Sequence, residues 1–224
     1  MSLFKSLGRL AAVVGVFALY SIADLVSMAP SLLTGGKASA LVIGVVFAVT
    51  FGGLIYLLAS MYRYFLRSET PSLFGPRRPD KHVWRFMAGM VMALVVVQTL
   101  SSVAVNLHWV AESENQNALM QLLQKAPLAM TLTAVVGAPP VEELLFRGLL
   151  MHSFPHLERR EWLWSASIVS AVVFGLMHAG PSEPISMLIY IAMGAIFTAT
   201  YAYTKDIRYS IALHFLNNFV ALFI

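Results

Sequence analysis

Residues 39–61 read SALVIGVVFAVTFGGLIYLLASM, and no Asp, Glu, Lys or Arg interrupts them. Coiled as a helix rising about 1.5 Å per residue, such a run crosses the roughly 30 Å of hydrocarbon in a bilayer. Runs of similar character lie near 84–106, 127–150, 163–180, 185–203 and 209–224, and another apolar stretch begins at Leu10. The pattern predicts an all-α, polytopic helical membrane protein with about seven transmembrane helices, the last of them short.

Composition supports the same solvent. Of the 224 residues 58% are hydrophobic and 12% charged, against about 25% charged in an ordinary soluble domain. A soluble domain is excluded on that ground, and an outer-membrane barrel by the lack of short alternating segments. The chain has no cysteine, which excludes disulfides, thiolate metal sites and a cysteine nucleophile. The net charge of +4 lacks a basic stripe interleaved with aromatics, so no nucleic-acid partner is expected. A bilayer is the expected partner.

The positive residues sit between the apolar runs. Lys5 and Arg9 precede the first, which resembles a signal peptide but is long for one and lacks a clear A-x-A site, so it reads as a retained span. With the N-terminus cytoplasmic, twelve Lys and Arg fall inside and only Lys37 and Lys125 outside, with Arg147 within a span. Positive charge is retained on the cytoplasmic side, so the expectation is N-terminus in and C-terminus out. The stretch 67–81, with Pro71, Gly75, Pro76 and Pro79, reads as an irregular cytoplasmic loop. No repeat or second domain is apparent. Residues 1–224 read as one membrane domain, and 127–224 as its motif-bearing core.

Charge inside a span marks function, because an ionised side chain at the bilayer centre costs about 2.5–3.5 kcal/mol even on the lenient insertion scales. The run Gly137-Ala-Pro-Pro-Val-Glu-Glu-Leu-Leu-Phe-Arg147 places three ionisable groups in one span. Glu143 and Arg147 stand four apart on one helical face, in the order that favours an ion pair. Glu142 is turned about 100° away and left to face a cavity. Pro139 and Pro140 should break the preceding helix, so that the Glu pair opens a new one. Histidines enter two further spans, as Phe174-x-x-x-His178 and as His214-x-x-x-Asn218. His82, His108, His152 and His156 fall in connections and attract no special reading. A single buried histidine is an ordinary packing residue, but Glu, His, His and Asn converging from three spans can make and stabilise a nucleophile.

Glu142-Glu143-x-x-x-Arg147, Phe174-x-x-x-His178 and His214-x-x-x-Asn218, in that order, resemble the three motifs of the CAAX-protease and bacteriocin-processing family of intramembrane peptidases. They cover about residues 139–218. The resemblance implies an endopeptidase acting on membrane-associated substrates, of a class that trims prenylated CAAX proteins in eukaryotes and is tied to bacteriocin processing and self-immunity in bacteria. In the resulting mechanism Glu142 and His178 activate a water, and His214 and Asn218 donate to the oxyanion. Glu143, Arg147 and Phe174 support them. Cofactor-free chemistry is expected, because no H-E-x-x-H pair places two histidines on one helix face. Zinc held by Glu142, His178 and His214 is the alternative. A proton-coupled transporter and a non-catalytic immunity or scaffold protein also remain open.

Depth is the weak point of this assembly. Counted from the cytoplasmic helix ends at about 1.5 Å per residue, Glu142, Asn218 and His214 lie roughly 13, 14 and 8 Å deep, and His178 about 21 Å.

Overall fold

In a computed structural model of the chain, residues 3–68 and 73–222 are described, so Pro71 of the expected loop lies outside the described residues. Among the described residues every regular element is helical. The order is α1 (Leu3–Leu33), α2 (Ala40–Arg67), α3 (Lys81–Asn106), α4 (Glu114–Lys125), α5 (Pro127–Ser153), α6 (Arg160–His178), α7 (Pro184–Thr204) and α8 (Ile207–Val220).

Helices α1, α2, α3, α5, α6 and α7 are long and apolar enough to cross a bilayer, six in all among the described residues. The seventh expected span, α8, has 14 residues and covers about 21 Å. Large apolar side chains such as Leu41, Val49, Leu100 and Ile168 point outward. Against lipid that exposure costs nothing, whereas in water it would drive aggregation. The chain is thus a polytopic helical membrane protein.

Local chemistry sets the helix starts. The side chains of Ser39, Asp80, Ser113 and Asp206 accept backbone N–H bonds from the first turns of α2, α3, α4 and α8, and Pro184 opens α7 where its missing N–H has no partner to lose. Helix α4 was not legible as a span, because it is short and polar. Its signal was the capping box Ser113-x-x-Gln116.

The helices run up and down, so the connections sort to two ends. One end gathers the start of α1, the α2–α3 loop, the α5–α6 turn and the α7–α8 turn. Contacts tie it together: Gly75 N–H donates to Lys205 O at 2.8 Å, Arg77 N–H to Asp206 Oδ2 at 2.8 Å, and Arg9 to the carbonyl of His152. The described part of the α2–α3 connection, residues 73–80, is irregular, as expected, yet it is anchored by Phe74, buried against His152 and Tyr201. His152 corrects the sequence reading. It is fully buried and bonds Tyr201 OH at 2.7 Å, while Tyr201 OH meets Tyr62 OH at 2.9 Å. Helix α5 simply continues three residues beyond its apolar run, and that extension draws His152 into the bundle.

Helix α5 is the axis of the fold, with 61% of its apolar window buried against 39% or less for the other spans. Pro139 and Pro140 do not break it, contrary to expectation. The stretch Leu132–Gly137 widens to a π-helix, in which Ala138 N–H reaches Thr133 O five residues back. A wider turn absorbs the two lost donors and the ring clash without ending the helix. A second π stretch, Leu144–Leu150, follows, so the Glu pair sits on one short α turn, Ala138–Glu143, between two irregular segments. Gly137 lets α2 come close, since a Cβ there would stand 2.4 Å from the Phe51 ring.

Candidate active site

Two layers of charge meet on α5. In the inner layer Glu143 and Arg147 are wholly buried, with Arg147 Nη1 donating to Glu143 Oε1 at 2.9 Å, as the four-residue spacing predicted. The rest of the guanidinium is satisfied by Thr198 Oγ1 at 3.2 Å and Gly194 O at 2.8 Å, both from α7. The Phe174 ring lies 4.9 Å below it. Glu143 accepts two further bonds, from Ser210 Oγ and from His214 Nδ1, the latter at 2.9 Å. A buried ion pair is tolerable only when its polar atoms find partners, and here each guanidinium nitrogen and both carboxylate oxygens have one. Sequence reasoning missed Ser210, Thr198 and Gly194, which carry no signal until α7 and α8 are packed.

The outer layer is Glu142, 6% exposed. Its Oε1 accepts from Tyr20 OH at 2.8 Å, a partner from α1 that no motif announced. Its Oε2 is buried without a hydrogen-bond partner. His178 Nε2 stands 3.5 Å from that oxygen and His214 Nε2 3.8 Å. Glu142, His178 and His214, expected from three separate spans, are therefore brought together.

The depth mismatch of His178 resolves partly through side-chain direction. Cα–Cβ bonds lean toward a helix's N-terminus. Helices α5 and α6 are antiparallel, so the Glu142 carboxylate leans toward the α4 end while the ring of His178, the last residue of α6, leans back toward it. His178 is held between Phe174 (centroids 4.3 Å apart) and Tyr190 (5.0 Å), and its Nδ1 donates to Phe174 O at 2.8 Å. His214 stacks on Phe197 at 4.4 Å. Each imidazole thus has Nδ1 engaged and Nε2 turned toward Glu142.

Asn218 reaches the same cavity, one turn from His214. Its Nδ2 donates to Ala134 O at 2.9 Å, and Asn217 Nδ2 donates to its Oδ1 at 3.1 Å. A primary amide has two N–H donors, so one bond to Ala134 leaves a second for a ligand.

These groups open into a cavity of about 480 Å³. Its outer wall is built from Asn106, Glu112, Ser113 and Gln116 near α4 and from Ser186 and Tyr190 of α7, so its mouth is at the end opposite the basic loops. The arrangement can hold a water between two acceptors, the Glu142 carboxylate and the His178 Nε2 lone pair, within reach of donors on α8.

Comparison with known proteins bears on the same segment. The family model for Rce1-like proteins, type II CAAX prenyl endopeptidases, matches residues 124–220. YdiL of Bacillus subtilis, assigned by name to the membrane peptidases, is 36% identical over 107 residues, 48% of this chain and 41% of YdiL. The membrane-embedded CAAX protease MroQ of Staphylococcus aureus is 25% identical over 165 residues, 70% of this chain and 65% of MroQ. The chain spans less than two thirds of the length of either. No solved structure matches it significantly. Residues 124–220, which hold Glu142, Glu143, Arg147, His178 and His214, are thus the part of the chain that is similar to the Rce1-like type II CAAX prenyl endopeptidases.

Proposed function

We propose that the chain is an intramembrane endopeptidase that hydrolyses peptide bonds of membrane-associated substrates, lipidated or bacteriocin-type, with water activated by Glu142 and His178. The observation that carries this reading is Glu142 Oε2, a buried carboxylate oxygen with no hydrogen-bond partner among the described residues, facing two imidazole Nε2 atoms at ion-pair distance in a cavity. The Tyr20 bond on Oε1 aims the other oxygen. Glu142 takes the water's proton as the hydroxide attacks the scissile carbonyl, and passes it to the leaving nitrogen. Asn218 donates its free N–H to the oxyanion. His214 Nδ1 is bonded to Glu143, so the ring presents Nε2 to the cavity, where donation to the oxyanion needs a proton on that nitrogen too.

Substituting Glu142→Gln keeps the shape and removes the base. Cleavage is expected to fall by about 10²–10⁴-fold. Peptidomics of cells carrying either form should show uncut membrane-anchored peptides accumulating with the Gln variant. If none accumulates at equal protein levels, a non-catalytic immunity or scaffold role takes precedence.

One observation favours a zinc-dependent version of the same hydrolase. Both imidazoles have Nδ1 tied to an acceptor and Nε2 directed at Glu142, the outer-sphere pattern of metal-bound histidine. Among the described residues no three His, Asp or Glu side chains are placed to hold an ion as they stand, so Glu142, His178 and His214 would have to readjust around one, which would supply Lewis acidity and an acidified water. Activity lost to a chelator and restored by zinc would establish this version; activity indifferent to chelation would end it.

The twelve-to-two distribution of Lys and Arg supports a cytoplasmic N-terminus in a bacterial cell membrane. In that orientation the cavity opens outward, and substrates reach Glu142 from the outer leaflet.

A further inference from the structure

Asp24 is an acid in the interior of α1, a place where a carboxylate is expensive unless it is paired. Among the described residues no Lys, Arg or His side chain forms an ion pair with it. It lines the cavity on the mouth side of Tyr20, which stands one turn back on the same face and bonds Glu142. The carboxylates lining that cavity are Asp24, Glu112 and Glu142, the imidazoles of His178 and His214 lie at its inner end, and among the described residues no Lys or Arg lines it. An acidic, partly desolvated cleft concentrates cations. Two polar atoms in the same wall also lack a hydrogen-bond partner among the described residues: Glu142 Oε2 and Thr133 Oγ1, on residues 6% and 3% exposed. Unpartnered groups buried around a cavity mark a place a polar ligand completes.

We infer that Asp24 is a specificity-determining residue that binds a cationic group, an ammonium or guanidinium, on a Lys or Arg one or two residues from the scissile bond. The spacing follows from geometry. One helical turn advances about 5.4 Å, and an extended peptide about 3.3 Å per residue. A bound peptide with its scissile carbonyl at Glu142 therefore brings its next residues, toward the mouth, past Asp24. Their long basic side chains have the reach to close the contact.

The assignment of the cation to a peptide rests on the peptidase reading, and the experiment separates the two. The full chain carrying Glu142→Gln, in nanodiscs of phosphatidylglycerol, is titrated with a dye-labelled apolar peptide containing one Lys and with its Gln twin. The Lys peptide is expected to bind about tenfold more tightly, the effect of one charge-assisted bond. Asp24→Asn should erase that preference without weakening the Gln peptide, and Asp24→Glu should keep it. Equal affinity for the two peptides, or a Lys preference that survives Asp24→Asn, overturns the inference. Loss of the preference when phosphatidylethanolamine is added would assign the site to a lipid amine and overturn the peptide assignment. Hydrolysis is then followed with Glu142 restored. An Asp24-controlled preference with neither peptide cut removes the peptidase reading and leaves the cation site. Both peptides cut with equal kcat/KM removes the inference and leaves the peptidase.

Discussion

Glu143 and Arg147 have no exposed surface, so neither can lose its partner to water. Glu143→Gln should lower stability by about 3–5 kcal/mol, because it leaves an uncompensated guanidinium among apolar rings. The double variant Glu143→Leu, Arg147→Met should recover most of that loss, and thermal unfolding in detergent distinguishes the two. Both variants should be inactive, since His214 Nδ1 loses the carboxylate it is bonded to, to a neutral amide in one and to an apolar side chain in the other. The ion pair was legible in sequence because four residues is one helical turn. The two other acceptors of that guanidinium, Thr198 and Gly194, were not, because nothing distinguishes a Thr or Gly in an apolar span until a cation stands beside it.

At the scale of elements, Gly137 and Asp206 decide how helices meet. A Cβ on Gly137 would stand 2.4 Å from Phe51 Cδ1 and 3.0 Å from Phe47. Gly137→Ala should therefore destabilise by about 1–3 kcal/mol, and Phe51→Leu in the same chain should return part of the melting temperature. Asp206 caps α8 outside the membrane-spanning segments. Burial alone would raise its carboxyl, but bonds from the Arg208 side chain and from the Arg77 and Arg208 amides outweigh that and hold it below its ordinary value. A group depressed in the folded state stabilises above its unfolded pKa and loses that contribution as pH falls through the folded one. Asp206→Asn should thus melt earlier than the parent at neutral pH, with the difference closing as pH drops below the carboxylate range. The Pro-Pro step shows the limit of local rules. A proline pair forbids ordinary α-helical bonding, yet a widened turn satisfies the backbone without ending the helix.

For the whole molecule the question is which end faces the cytoplasm. The chain contains no cysteine, so single substitutions report cleanly. Lys37→Cys and Arg78→Cys both lie in exposed connections at opposite ends of the bundle. A membrane-impermeant maleimide on intact cells should label the first and spare the second. The reverse labelling would invert the orientation and place the cavity mouth in the cytoplasm.

Solvent class, helix positions and the Glu143–Arg147 pair follow from sequence alone, because hydropathy over 20 residues and spacing along one helix are local properties. The convergence of Glu142, His178 and His214 was suggested by their types, but its geometry depends on two π-helical turns and on antiparallel helices whose side chains lean toward one another. Tyr20, Ser210 and the acidic cavity around Asp24 belong wholly to tertiary structure, since each acts on a group more than a hundred, or more than sixty, positions away in the chain. No local pattern encodes such a partner. The packing of α1 and α8 against the irregular α5 creates it.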